Sequence, residues 1–454
     1  MEVSEINQYF ESLPIMIKPQ INMEGFEVSK IELYKGKITI VKKDNSLVEC
    51  FVTMHHNWSN ASSVEFEINE ADSNVIDAIN NIKELKIDGG GMFHGKSIFM
   101  TRQRGSLIKG NIYFPFFRFY EVNDPMVTCV YFHLFNFRRI FGGHARTDSK
   151  HRGGNSIRLD FITDDFEIDL YCNQLTEGDW EIVKDNKFGL TYTGVLKPIK
   201  DFVLSKENSL KILAKFGQFI SFLNGSYSLP RGIIARNINN EDLWVDYSNY
   251  ITDPFPNCYS WLPMMFNDDV RKLWCTFYRL GDQEYVVIER VIDWYVKSNA
   301  RKESLDSSFI SLQISFELLF NLIIIEKKKM IVEQAAEKLR ASDKIRLLFS
   351  ILNADANFPA KFYQILEPFL KKNSQYNDFP YLFTEIRNSY THAGKNKRKN
   401  IELLKNNELL AVLNTGLYFV ELLILYTLSY KGIVSSRVSQ EIWRGANEEK
   451  VPWE

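Results

Sequence analysis

From about Ile31 to Leu204 the chain alternates apolar and polar residues in short runs broken by turn formers. Lys37-Ile38-Thr39-Ile40-Val41 runs into Asp44-Asn45, and the habit recurs in Val64-Glu65-Phe66-Glu67-Ile68, Asn111-Ile112-Tyr113-Phe114, Val127 to Phe137, and Leu190-Thr191-Tyr192-Thr193-Gly194-Val195. A period of two in β-branched and aromatic residues predicts strands, and their spacing predicts a β-sandwich or a strongly bent sheet. Near Ser209 the period lengthens: Leu210, Leu213, Phe216, Gly217, Ile220 and Leu223 recur at helical spacing, and Asn224-Gly225 supplies a stop. Between Tyr227 and Phe266 prolines, glycines and aromatics follow no sustained period, which predicts a connecting segment packed on both halves.

From Asp282 the helical period dominates, predicting helices over 282–299, 305–327, 331–340, 343–352, 359–372, 378–392 and 402–430. Ser342-Asp343 has the chemistry of an N-cap, and Gly394 that of a C-cap. The expected fold class is therefore α+β: a β-rich domain over 1–205, a helix and Pro/aromatic-rich connector over 206–281, and an all-helical bundle over 282–454.

Composition changes this picture little. The 454 residues suffice for two or three cores, and 55 basic against 57 acidic residues leave no global field to draw nucleic acid, so any such site must be a local patch. Five scattered cysteines, with no Cys-x-x-Cys pair, read as reduced cytosolic thiols. The acidic start Met1-Glu2-Val3-Ser4-Glu5 has no signal-peptide character, and the apolar stretch Leu413 to Tyr430 is interrupted by Asn414 and Glu421, which suits a bundle helix better than a membrane span. A cytoplasmic protein without a membrane segment is the expectation.

The most distinctive chemistry is Arg387-Asn388-Ser389-Tyr390-Thr391-His392, followed by Ala393-Gly394 and the cations Lys395, Lys397, Arg398 and Lys399. A guanidinium can grip a phosphodiester through two parallel hydrogen bonds, and an imidazole is matched to proton transfer near neutral pH, so the pair suits RNA cleavage without a metal or other cofactor. On a regular helix, residues five apart stand about 140° from each other. Arg387 and His392 therefore meet only if the helix ends between them or if a second copy joins across a dimer interface. The structural alternative has Arg387 paired with Glu385 or Glu317 and His392 capping the helix end. The basic run, likewise, is either a solvated face or a landing strip for RNA.

Arg-Asn-x3-His near the end of a helix in an all-helical C-terminal domain resembles the HEPN superfamily over roughly 282–430. The broader layout, a β-rich N-terminal region, a helix end Phe219-Ile220-Ser221-Phe222-Leu223-Asn224-Gly225 and then the bundle, resembles the ApeA-type anti-phage abortive-infection proteins. The HEPN resemblance implies a toxin-like endoribonuclease acting as a homodimer or higher oligomer, with two Arg-His pairs forming one site that leaves 2′,3′-cyclic phosphate ends. It implies His392 as general acid or base, Arg387 on the scissile phosphate, Asn388 orienting phosphate or imidazole, and Glu317 as a supporting partner of Arg387. The anti-phage resemblance implies a phage-derived trigger and an RNA substrate, transfer RNA first. A rival from another class is a non-catalytic HEPN bundle that binds nucleotide, RNA or protein at the same helix end.

Three further signals read more modestly. Gly90 to Ser97 satisfies Gly-x4-Gly-Lys-Ser, but strand-like sequence follows where a phosphate-binding loop requires a helix, so a glycine-rich hairpin or ligand loop is expected. His55, His56, His94, His133, His144 and His151 fit no metal spacing. Arg138, Arg139, Arg146, Lys150 and Arg152, interleaved with Phe137 and Phe141, form a second basic region, either a solvated loop or a stacking surface for nucleic acid.

Overall fold

The computed structural model describes residues 30–57, 63–87, 91–94, 98–112, 117–120, 125–141, 158–172, 180–181, 183–184, 189–246, 252–255, 258–300, 304–391, 404–441, 443 and 445–454. Its fold class is α+β, with sheets in the N-terminal half and helices in the C-terminal half. Among these residues the chain forms two compact units. The first holds those up to Arg139, 158–217 and Ser228–Phe255, and the second holds Ile140, Phe141, Gln218–Tyr227 and everything from Cys258 onward.

The first unit begins with β1 (Lys30–Lys42), β2 (Leu47–Asn57), β3 (Ser63–Ile68), α1 (Ser73–Asn80), β4 (Ile82–Ile87), β5 (Gly91–His94), β6 (Ile98–Arg104) and β7 (Leu107–Ile112). Its seven strands are all antiparallel in the order β5-β4-β1-β2-β3-β7-β6. The period of two is visible in burial: Ile38, Ile40, Val52, Met54, Val64, Phe66, Leu85 and Ile108 face one core. Helix α1, whose Val75 amide donates to the Asp72 carboxylate at 2.8 Å, adds Val75, Ala78 and Ile79 to it. Strands β5 and β6 stand at opposite edges, yet His94 and Ile98 are four Cα steps apart, a span of at most ~15 Å. A flat seven-stranded sheet would separate its edges by about 29 Å. The sheet therefore curls until its edges approach, the strongly bent alternative of the sequence reading.

A second antiparallel sheet follows, from β8 (Phe117–Phe119), β9 (Cys129–Phe135), β10 (Arg158–Ile162), β11 (Phe166–Cys172), β12 (Leu190–Pro198), then helix α2 (Lys206–Asn224), β13 (Arg231–Arg236) and β14 (Asp242–Asp246). Its order is β10-β11-β12-β9-β13-β14-β8. Phe132 on β9 faces Gly194 on β12, where any Cβ would lie 2.1 Å from the ring, and its edge meets Phe216 of α2 at 5.9 Å. The expected connector at 206–281 thus contains two strands, β13 and β14, that complete this sheet. Their runs Arg231–Arg236 and Asp242–Asp246 are short and flanked by turn formers, and all but two of the eleven residues are buried, so no alternation marked them.

In the second unit the helices are α3 (Asp268–Tyr278), α4 (Asp282–Asn299), α5 (Leu305–Phe320), α6 (Glu333–Ala336), α7 (Ala341–Ile351), α8 (Ala360–Lys372), α9 (Phe379–Thr391) and α10 (Asn406–Thr427), followed by a two-stranded β15 (Ile433–Ser435) and β16 (Glu448–Lys450). Helix α5 runs on into a π-helical stretch, Asn321–Lys327, where the Lys328 amide bonds the Ile323 carbonyl five residues back. The expected helix at 331–340 shrinks to Glu333–Ala336, and α7 starts at Ala341 with Arg340 as its N-cap, so Ser342 and Asp343 lie in the first turn rather than capping it.

The bundle core is aromatic. Phe349 of α7 stacks on Phe419 of α10 with ring centroids 3.7 Å apart, Phe379 of α9 lies 5.8 Å from both, and Phe383 of α9 sits between Phe309 and Phe316 of α5. These contacts hold α9 along α5. Leu305–Lys327 and Asn406–Thr427 are long and apolar enough to cross a membrane, but most of each is buried among the other helices, as core helices of a bundle are.

Two polar devices complete the unit. Helix α2 stops at Asn224 because Gly225 takes φ +74°, a left-handed value open to glycine, which also lacks the Cβ that would lie 2.5 Å from the Tyr259 carbonyl oxygen. Arg437, 2% exposed, donates through Nε to Glu421 Oε2 at 3.1 Å and through Nη2 to Asn299 Oδ1 at 2.9 Å, while Tyr295 donates its hydroxyl to Glu421 Oε1 at 2.6 Å. Burial, and then the Glu421 carboxylate, push the Tyr295 hydroxyl well above its ordinary pKa, so it remains a donor.

Candidate functional site

Helix α9 ends at Thr391, which places Asn388 in its last turn and Arg387 one residue before that turn. Hydroxyls secure that turn: Ser389 Oγ donates to the Ile386 carbonyl at 2.6 Å and Thr391 Oγ1 to the Arg387 carbonyl at 3.2 Å. Phe383 anchors the buried face of α9, and Tyr390 reaches Phe309 with centroids 6.1 Å apart. Burial, and then the Asp306 carboxylate, raise the Tyr390 pKa, so its hydroxyl stays protonated at neutral pH.

With α9 fixed along α5, Arg387 Nη2 lies 3.7 Å from Glu317 Oε1, and Arg387 Nη1 donates to Asn388 Oδ1 at 3.1 Å. Asn388 Nδ2 donates in turn to Glu385 Oε1 at 3.3 Å, and Gln313 Nε2, one turn before Glu317, donates to Glu317 Oε1 at 3.0 Å. The Arg387 side chain is 25% exposed and that of Glu317 43%, so the cluster lies at the surface of the bundle. At 3.7 Å the Arg387–Glu317 contact is an ion pair rather than a hydrogen bond. The guanidinium therefore keeps donor capacity for an incoming phosphate, while Glu317 and Asn388 restrain its orientation.

The structure brings together Arg387, Asn388 and Glu317. His392, with Gly394, Lys395, Lys397, Arg398 and Lys399, lies outside the described residues. Gln313 and Glu385 complete the cluster: Glu385, expected as a possible partner of Arg387, instead accepts from Asn388, and Gln313 was not singled out from the sequence. The signal for Gln313 was available: Gln313 and Glu317 stand four apart on the helix that packs against α9.

The competing motifs fare differently. Within Gly90 to Ser97, Gly91–His94 is strand β5, paired antiparallel with β4, and the next element is strand β6. A phosphate-cradling loop opens a helix, so this segment lacks that architecture. Gly90, Gly95, Lys96 and Ser97 lie outside the described residues. Among the described residues no group of three His, Cys, Asp or Glu side chains is placed to hold a metal ion. His133 is fully buried beside Thr193, Nδ1 to Oγ1 3.2 Å, and burial pushes its pKa down to about 3. In the second basic region Phe137 is a core residue packed 5.3 Å from Tyr192 rather than a stacking platform. Arg138 and Arg139 are half-buried, and Arg146, Lys150 and Arg152 lie outside the described residues. None of the five cysteines forms a disulfide.

Comparison with known proteins adds a family context. A family model described as the YopA central domain matches residues 122–258, and one described as the YopA C-terminal domain matches residues 282–449. The chain is 24% identical over 297 residues to an uncharacterized SPbeta prophage-derived protein, YopA, of Bacillus subtilis (strain 168). That alignment covers 61% of this chain and 64% of the relative, just under two thirds of its length. No solved structure matches the chain. In its second sheet and in its helical bundle, the two regions that the family models span, this protein is similar to YopA.

Proposed function

We propose that the end of helix α9 is half of a metal-independent, HEPN-type ribonuclease site, and that the protein is a cytoplasmic, toxin-like effector of anti-phage abortive infection. The observation that carries the reading is the Arg387 guanidinium, held by Asn388 and Glu317 yet still a quarter exposed, near the end of a helix that stops one residue before His392. Arg387 binds the scissile phosphate and stabilises the charge that develops on it. His392 takes the proton from the 2′-hydroxyl as that oxygen forms its bond to phosphorus, and the bond to the 5′-oxygen breaks with a proton supplied by the second copy's imidazole. The products are a 2′,3′-cyclic phosphate and a 5′-hydroxyl.

Because one helix end supplies one Arg-His pair, two copies supply the acid and the base together. The cations from Lys395 to Lys399 extend the site along the RNA, and transfer RNA offers unstacked anticodon nucleotides as a first substrate. A prophage-derived relative supports a setting of conflict between phages, with a phage-derived trigger releasing activity. The other reading, a non-catalytic HEPN-type bundle that binds nucleotide, RNA or protein, draws on the same contacts, since Asn388 and Glu317 also give Arg387 a structural role.

The experiment is to incubate the purified full chain with total RNA and excess chelator, alone and with extract of phage-infected cells. Cleavage that leaves cyclic phosphate ends and disappears in Arg387→Ala and His392→Ala supports the nuclease. Intact RNA with every extract, or cleavage that survives in both variants, overturns it.

A further inference from the structure

The second unit carries a separate cationic and aromatic pocket at the far end of α5 and α10, and we propose that it binds a nucleoside phosphate, with the base against Trp453 and Tyr426 and the phosphates on Lys327, Lys328 and Lys431. The pocket encloses about 340 Å³ and is lined by these five residues with Ile323, Thr427 and Ser429. Ligand pockets begin near ~300 Å³, a size that suits one nucleotide and excludes a folded polymer.

The backbone around it is unusual in two independent places. The π-helical stretch Asn321–Lys327 inserts an extra residue per turn and sets Lys327 and Lys328 at the rim, and such insertions in α-helices concentrate at functional sites. Both helices then stop on a non-glycine residue in the left-handed region, Lys329 at φ 51° and Ser429 at φ 56°, where glycine is the unstrained choice.

The side chains fit the two halves of a nucleotide. Trp453 is held by its indole N–H, which donates to the Tyr430 carbonyl at 2.9 Å, and its ring meets Tyr426 edge to face with centroids 5.4 Å apart and an 87° angle between planes. A planar base can lie on one ring while the other walls its edge. Lys328 Nζ lies 5.6 Å from the Tyr426 ring centroid, and Lys327 Nζ lies 3.3 Å from Glu284. The pocket lining itself holds three lysines and no carboxylate, so a phosphate would meet net positive charge. The competing explanation is that the lysines merely complement the negative ends of two helices, in which case the rings and the cavity would have no ligand.

The test uses the full-length protein, calorimetry, and four probes: ATP, AMP, adenosine and inorganic pyrophosphate. ATP and AMP should bind, with adenosine and pyrophosphate each at least about tenfold weaker than ATP, because each retains only half of the contacts. Trp453→Ala should weaken ATP about tenfold or more, the loss of one stacked ring, while Trp453→Phe retains most of the affinity. Since Trp453 also packs on Tyr426, the exposed Lys431→Glu is a second variant that leaves folding intact and should weaken ATP at least as much. His392→Ala should leave ATP binding unchanged, which separates this pocket from the proposed nuclease site. No ATP binding, pyrophosphate as tight as ATP, ATP affinity as high as that of the unaltered protein in both Trp453→Ala and Lys431→Glu, or loss of binding in His392→Ala would each overturn the assignment.

Discussion

Replacing Glu421 by glutamine removes one charge from the most enclosed ion pair described in the protein and keeps its volume. Glu421 and Arg437 are each 2% exposed, and the carboxylate also receives the Tyr295 hydroxyl. In the variant the guanidinium stays buried with two amide oxygens, Asn299 Oδ1 at 2.9 Å and Asn414 Oδ1 at 3.3 Å, but with no counter-charge on Glu421. Breaking a buried pair in this way costs about 3–5 kcal/mol, because the surviving charge has lost water without compensation. For a helical unit of this size each kcal/mol lowers Tm by about 2–4 °C, so the expected fall is about 6–20 °C. Thermal unfolding measures that fall, and urea unfolding followed by circular dichroism and by fluorescence of the buried Trp261 and Trp274 measures the free-energy loss. The double variant Glu421→Leu with Arg437→Met should lose much less than the single one, since an apolar pair of similar volume removes both desolvation penalties. A loss below about 1 kcal/mol in Glu421→Gln would refute the reasoning and mean that water reaches the pair.

Other consequences can be checked the same way. The first unit holds His133 neutral with its pKa pushed down to about 3, so stability is complete above the unfolded pKa near 6.5 and is lost as pH falls, by about 2 kcal/mol between pH 6.5 and 5. His133→Gln should flatten that slope in denaturant midpoints taken across the range, and an unchanged slope would assign it to other groups. Phe349→Ala, which deletes the ring stacked 3.7 Å from Phe419, should cost about 3–5 kcal/mol in the same unfolding assay. Glu317→Gln should shift stability by less than about 1 kcal/mol, because its partner contact is long and 43% exposed, yet it should lower RNA cleavage measurably by loosening Arg387.

Most helices from Asp282 onward were readable to within a few residues because their apolar stripes run for three turns or more, whereas Asp268–Tyr278 lay hidden in the expected connector. Asp282–Asn299 and Ala360–Lys372 match the periodic stretches closely. The short strands Arg231–Arg236 and Asp242–Asp246 were not readable: nearly every residue in them is buried on both faces, which removes the alternation that identifies a strand. The same logic hid the π-helical stretch, whose composition, Asn-Leu-Ile-Ile-Ile-Glu-Lys, continues an ordinary helical pattern while the hydrogen bonds do not. Of the candidate site, the motif located Arg387 and Asn388 and family resemblance pointed to Glu317. Glu385 was named as a possible partner of Arg387 but bonds Asn388 three residues on, and Gln313 enters only through the way α5 and α9 pack. The Lys327-Lys328-Lys329 run was visible at the end of an apolar stretch, but its meeting with Tyr426 and Trp453 joins residues a hundred positions apart, which no local pattern reveals.

The most direct test of the proposed nuclease is to map RNA ends in cells that carry the protein and are challenged with phage, comparing wild type with Arg387→Ala and His392→Ala by a ligation method selective for 2′,3′-cyclic phosphates. The account predicts new cyclic phosphate ends, richest in transfer RNA anticodon loops, in infected wild-type cells and in neither variant, with phage protection lost in step. Undiminished protection in His392→Ala, or the same RNA ends in all three strains, would contradict it.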